Sequence, residues 1–221
     1  KNLLKNLKNN LSNLLDIPIW LCFSLCQFTI GKTTQCIEYI SNEDGKYNKT
    51  HNIVLILTNK SIEETKQWKE RLDSKFKKNK KIITLSSKSK DHNSISTINE
   101  IIMNSILDNK YEDIPDAIVM CTHSKRTNDC KQLIKYSEYY NNIAKERNQK
   151  CINYLLFMDE IDKPDNLTTS LNFLKGINEL DKNVLRYIKN IIFITATPLD
   201  NFWEKMEKNK ISNLNNFKNL I

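Results

Sequence analysis

The chain has 221 residues, a formal net charge of +8, 39% hydrophobic and 27% charged residues. That composition is globular and is long enough to bury a sizeable core. Only 3 Gly are present, which excludes collagen-like, glycine-linker and glycine-rich tail classes and means that any phosphate-binding loop is built with few glycines.

The basic excess comes from Lys, since Arg71, Arg126, Arg147 and Arg186 are the only arginines. Such a charge favours polyanionic partners, and the codon bias of an AT-rich genome gives the same Lys/Asn/Ile-rich composition. The 6 Cys form no C-x-x-C pair. They suit reduced thiols rather than a disulfide framework, so the sequons at Asn48 and Asn166 are expected to stay unused. Cys121, His123, Cys130 and Cys151 match no zinc-ligand spacing. No secretory signal is visible. The longest apolar run, residues 17–30, is interrupted by Pro18, Ser24, Gln27 and Thr29 and is too short for a span of about 20 residues. A protein without a membrane partner, cytoplasmic or viral and not secreted, is expected.

Leu3, Leu4, Leu7, Leu11, Leu14 and Leu15 form a helical stripe, so residues 1–16 read as an amphipathic helix that docks on a core. Pro18 ends it. Residues 19–25 read as a buried strand, 32–41 as helix and 52–57 as a strong buried strand. Ser61 and Glu64 have capping-box spacing for a helix running to about Phe76. Residues 82–85 are predicted as strand, 94–107 as helix, 117–121 as strand, and 125–148 as one long polar helix or a helix pair. Strand 154–158, helices 167–180 and 184–189, strand 191–194 and helix 199–208 follow. The spacing assigns no element to residues 211–221, which read as a tail or the start of a linker. Strands alternating with helices predict an α/β fold, a mainly parallel sheet covered on both faces, over a domain at 17–210.

Ligands of such sheets sit beyond the carboxyl ends of the strands. After the first strand comes Cys26-Gln27-Phe28-Thr29-Ile30-Gly31-Lys32-Thr33. It fits the end of the phosphate-loop pattern, with Cys26 in place of the first Gly. Gly31 lets the backbone approach phosphate, Lys32 supplies a cation, the Thr33 hydroxyl reaches Mg²⁺, and the helix amides add to the cradle. After strand 154–158 comes Asp159-Glu160-Ile161-Asp162, a carboxylate to hold Mg²⁺ followed by one to polarise water. After strand 191–194 comes Thr195-Ala196-Thr197-Pro198. Each alone also reads as a common turn or helix cap.

In this order, each at a strand end, the three segments resemble motifs I, II and III of the superfamily 2 helicases of DEAD/DEAH type, in their first RecA-like motor domain. The resemblance covers roughly residues 17–200. It implies a P-loop NTPase that uses ATP and Mg²⁺ to move on DNA or RNA, single-stranded, when joined to a second RecA-like lobe in cis or in trans. By resemblance, Gln27, Thr29, Ile30, Gly31, Lys32, Thr33 and Thr34 bind nucleotide, and Thr33 and Asp159 hold the metal. Lys32 and Glu160 are catalytic, with Glu160 the base. Asp162, Thr195, Ala196 and Thr197 couple hydrolysis to movement. Thr58, Asn59, Lys60, Thr122 and His123 stand where the family contacts the nucleic-acid backbone.

The chain departs from the family at the loop, where Thr29 replaces a Gly and Ile30 a small residue. Phe28 and Ile30 are bulky for phosphate wrapping, and Thr29 resists conformations open to Gly. Nothing after Pro198 supplies the second lobe's arginine finger, worth about 10³–10⁵ in rate, so weak turnover is expected of this chain alone. Two alternatives stand beside the motor: a degenerate, non-hydrolysing RecA-like module that binds nucleic acid or protein, and another P-loop ATPase such as a viral packaging motor. The composition resembles that of proteins from large AT-rich DNA viruses. Core packing is expected for Trp20, Trp68 and Trp203, and a solvated turn for the lysine run 75–81.

Overall fold

The computed structural model describes residues 19–23, 50–76, 80–85, 94–159, 164–195 and 217–220, with the backbone alone at 19–23, 164–167, 171, 178, 193–195 and 217–220. The expected helices at 1–16, 32–41 and 199–208 lie outside these residues.

Among the described residues, seven strands form one sheet. They are β1 (Ile19–Phe23), β2 (Thr50–Thr58), β3 (Ile82–Leu85), β4 (Ala117–Cys121), β5 (Cys151–Asp159), β6 (Ile188–Thr195) and β7 (Phe217–Leu220). The order is β3-β4-β2-β5-β6-β1-β7, and every neighbouring pair is parallel. The α/β class read from the alternating pattern is therefore the class observed. Residues 217–220, to which spacing assigned nothing, add an edge strand beside β1.

The central strands are apolar on both sides because both faces are covered. Ile53, Leu55 and Leu57 of β2 join Ile152, Tyr154, Leu156 and Met158 of β5 in one cluster, while Val54, Ile56, Leu155 and Phe157 fill the other. On the second face packs α1 (Ile62–Phe76), through Trp68, Leu72 and the partly buried Phe76. That spacing is one helical stripe. On the first face pack α2 (Ile95–Asp108), α3 (Ser124–Glu146), α4 (Pro164–Asn178) and the short α5 (Lys182–Leu185).

Local chemistry sets the boundaries. Ser94 caps α2 by accepting from the Thr97 amide at 3.2 Å, and Asn109 ends it in the left-handed region at φ 58°, a conformation Asn tolerates. The stretch at 125–148 is one 23-residue helix. The predicted helix over 184–189 is corrected. Helix α5 stops at Leu185, and β6 begins at Ile188. The apolar spacing there mimics a helix, but the Tyr154 amide donates to the Tyr187 carbonyl at 2.8 Å and draws the chain into the sheet.

Strand β5 also starts before its predicted first residue. Its β6-side hydrogen bonds begin only at Tyr154, so the Ile152 amide and carbonyl on that side lack a strand. Asn141 of α3 takes its place. Its Nδ2 donates to the Ile152 carbonyl at 2.8 Å, and its Oδ1 accepts from the Ile152 amide at 2.6 Å.

The lysine run is partly tied down. Lys80 pairs with Asp116 at 3.0 Å, and Lys81 lies 3.7 Å from Asp113 while its amide donates to Asp116. Two of its cations thus belong to the turn before β3.

Candidate functional site

The strand register lines up the carboxyl ends. Cys121 pairs with Thr58, Leu57 with Met158, Asp159 with Ile194, and Ile194 with Cys22. Phe23 pairs with Thr195. Strands β5, β6 and β1 are consecutive in the sheet, so their ends span about 10 Å at roughly 4.8 Å per strand. Asp159 and Thr195 end two of these strands, and Phe23 ends the third, three residues before Cys26.

Connections leave this edge in opposite directions. After β2 the chain passes to α1 on one face, and after β5 it passes to α4 on the other. Adjacent strands whose connections diverge leave a crevice between them, the usual ligand position in open parallel sheets. Asp159 and Thr58 end the two strands that flank it.

Asp159 is half-buried on the α1 side. Its Oδ2 accepts a hydrogen bond from the Trp68 indole Nε1 at 2.9 Å. Trp68 itself is 2% exposed. Reading Trp68 as core packing is correct for its ring and incomplete for its N–H. The signal available in sequence is that a buried indole N–H needs an acceptor. The acceptor is 91 residues away, and no local pattern points to it.

The end of β2 is a built turn. Thr58 is fully buried, and its hydroxyl lies 3.0 Å from that of Thr65, itself 2% exposed, in the first turns of α1. The Thr58 carbonyl accepts from the Thr122 amide at 2.7 Å and from the Thr122 hydroxyl. Asn59 Oδ1 accepts from the Lys60 amide at 2.7 Å, and Asn59 Nδ2 donates to Glu64 Oε1 at 3.3 Å. Glu64, whose spacing from Ser61 predicts a capping box, thus also ties the Asn59 side chain to the start of α1. Lys60 stands exposed at the tip.

His123 follows Thr122 and caps α3, its Nδ1 accepting from the Lys125 amide at 3.3 Å. Arg126 pairs with Asp129 at 2.7 Å, both side chains nearly buried. Burial pushes the Cys121 thiol up, against smaller lowering by its own backbone hydrogen bond and by Arg126, so this thiol is held neutral. Cys121 and Cys151 lie at opposite ends of their strands. They pair with Thr58 and Thr50 of β2, a separation of about 26 Å. Cys130 is buried in α3. One metal cannot gather these thiols.

Of the candidate residues, Thr58, Asn59, Lys60, Thr122, His123 and Asp159 are brought to one edge, and the Thr195 backbone lies beside them. Gln27, Thr29, Ile30, Gly31, Lys32, Thr33 and Thr34 lie outside the described residues, as do Glu160, Asp162, Ala196 and Thr197. Among the described residues no three His, Cys, Asp or Glu side chains gather as a metal cage. A single half-buried carboxylate fits Mg²⁺, which takes one or two carboxylates and completes its shell with phosphate and water. Among the described residues no helix is long and apolar enough to cross a membrane.

No protein-family model matches this chain, and no curated protein matches it in sequence.

Proposed function

We propose that this chain is the first RecA-like motor domain of a superfamily 2 helicase or translocase, in which ATP hydrolysis drives movement on DNA or RNA together with a second lobe. One observation carries the reading. Three parallel strands, contiguous in the sheet, end side by side at Phe23, Asp159 and Thr195; in sequence the phosphate-loop segment follows the first, and the acidic and Thr-Ala-Thr segments begin on the other two. The strand ends Phe23 and Asp159, more than a hundred residues apart in sequence, lie within about 10 Å of one another.

Lys32 binds the β and γ phosphates, and Gly31 with the helix amides cradles them. Asp159, from the end of β5, and Thr33 would hold the metal. Mg²⁺ held there would supply positive charge to neutralise that developing on the phosphate oxygens. Glu160 orients the attacking water and takes its proton. At the other half of the edge, Asn59, Lys60, Thr122 and His123 face the nucleic-acid backbone, with Lys60 the exposed cation. Thr195, Ala196, Thr197 and Asp162 connect the two halves.

The test is ATPase activity of the chain joined to its second lobe, with and without single-stranded nucleic acid. Lys32→Ala and Glu160→Gln should each reduce stimulated turnover by at least 100-fold. Stimulated turnover that neither substitution changes would sink the proposal.

The non-hydrolysing module remains a second reading, favoured by Phe28, Thr29 and Ile30 in the loop. It predicts nucleic-acid binding that ATP and Lys32→Ala leave unchanged.

A further inference from the structure

We infer that Trp68 is a positioning residue for Asp159: its indole N–H fixes the plane of the carboxylate and thereby sets the strength of divalent-metal binding with nucleotide. This inference rests on the ATP-binding reading of the site and assigns a role on α1, a helix outside all three motifs.

The argument starts from the core. The cluster under α1 is built from Val54, Ile56, Leu72, Ile82, Val119, Leu155, Phe157 and Ile192. A Phe or Leu would fill the same apolar space. Trp adds one thing those residues lack, a donor on the rim of the ring. That donor reaches Asp159 Oδ2 at 2.9 Å. A hydrogen bond to an ionised acceptor is about twice as strong as a neutral one, and it narrows a terminal torsion that is intrinsically broad for carboxylate side chains.

The helix that carries the donor is itself anchored. Thr65 lies one turn before Trp68 on the same face, and its hydroxyl is 3.0 Å from the Thr58 hydroxyl. Leu72, one turn after, is fully buried. The indole is therefore held by the fold and does not follow the carboxylate. Partners that orient a metal ligand in this way typically alter metal affinity by about 10–100-fold when removed.

The probe is a fluorescent ATP analogue, titrated onto the full 221-residue chain in Mg²⁺ and again in excess EDTA. The ratio of the two affinities isolates the metal-dependent part. Trp68→Phe should lower that ratio by about 10–100-fold and leave the EDTA affinity unchanged. Asp159→Asn should lower it at least as far. General loosening of the fold would weaken both affinities together, so the ratio separates positioning from packing.

A second measurement needs no substitution at Trp68. In spectra of the chain labelled with ¹⁵N at the indole nitrogens, Asp159→Asn should shift one of the 3 Trp N–H signals and leave the others. A wild-type ratio in Trp68→Phe, with the ratio lost in Asp159→Asn, overturns the inference and leaves the ATP reading standing. Absence of any indole shift overturns it independently. Nucleotide affinity that Mg²⁺ does not change in the wild type overturns the ATP reading itself, and this role for Trp68 with it.

Discussion

Replacing Asn141 by Ala removes a side chain that substitutes for a missing length of strand. Asn141 is fully buried and makes two short hydrogen bonds to the backbone of Ile152. In a parallel strand the amide and carbonyl of one residue point to the same side. Tyr154 donates toward β6, so Ile152, two residues earlier, also points that way. Strand β6 has no residue opposite it. Without the amide side chain, a buried N–H and a buried C=O both lose their partners. Each orphaned group costs about 1–3 kcal/mol, so Asn141→Ala should destabilise by about 2–6 kcal/mol. The lower end applies if a water enters the space left by the side chain. Against a total stability of about 5–15 kcal/mol this is a large loss. Urea unfolding followed by far-UV circular dichroism measures it. Asn142→Ala, at the exposed neighbouring position, should stay within about 0.5 kcal/mol of wild type. A loss below about 1 kcal/mol for Asn141→Ala would refute the strand-substitute argument, because two unsatisfied buried groups cannot cost so little.

The remaining predictions concern buried ionisable groups. Burial pushes the Cys130 thiol and the phenols of Tyr140 and Tyr154 up. A raised acid is stabilised in its neutral form, so its contribution is complete below the unfolded-state value and is lost as pH rises above it. The stability of the fold should therefore fall above about pH 8.5–10, where thiols and phenols of the unfolded chain ionise. Tyr154→Phe should weaken that alkaline loss while costing about 1 kcal/mol at pH 7 for its bond to the Leu133 carbonyl. An alkaline profile the substitution does not change would contradict this. The Arg126–Asp129 pair, with side chains 11% and 12% exposed, should show about 2–4 kcal/mol of destabilisation on Asp129→Leu alone. Most of that loss should be restored in Arg126→Met with Asp129→Leu, and additive losses in the double variant would show that the two charges do not depend on each other.

Much of the scaffold was legible because central parallel strands carry an unmistakable signal. Residues 53–57 are five successive apolar residues, and no amphipathic helix needs such a run. Asp159 was legible for the same reason, since an apolar strand that ends in a carboxylate places it at the sheet edge. What escaped was set by partners distant in sequence. The early residues of β5 include the polar Asn153, and Asn141 completes their hydrogen bonding. The end of α5 was misread because Val184, Leu185 and Ile188 share a helical period. Their separation into helix and strand is decided by the edge of β5. Residues 217–220 lie in an Asn/Lys-rich stretch with no period, and among the described residues they take their strand pairing from β1. The indole of Trp68 belongs to the same class, a local residue whose role is fixed by a carboxylate 91 positions on.

Under the motor reading the two halves of the proposed site would make different contributions to nucleotide binding, and this separates the competing readings. Phe28, Thr29 and Ile30 alter the loop proposed to wrap phosphate, so their cost would fall on affinity in the absence of metal. Asp159 is on another strand, and its orientation is set by α1. A motor domain with a weakened loop therefore keeps a strong metal dependence on top of a low metal-free affinity. A degenerate module that has lost its nucleotide keeps neither. The anchoring of α1 at Thr58 bears on the same point. One helix fixes both the turn proposed to meet nucleic acid and the carboxylate proposed to meet metal, through side chains a single turn apart. A rigid link of that kind transmits displacement only if α1 moves as a body. Thr65→Val should then leave metal-dependent nucleotide affinity intact, because the apolar stripe through Trp68 and Leu72 still seats the helix.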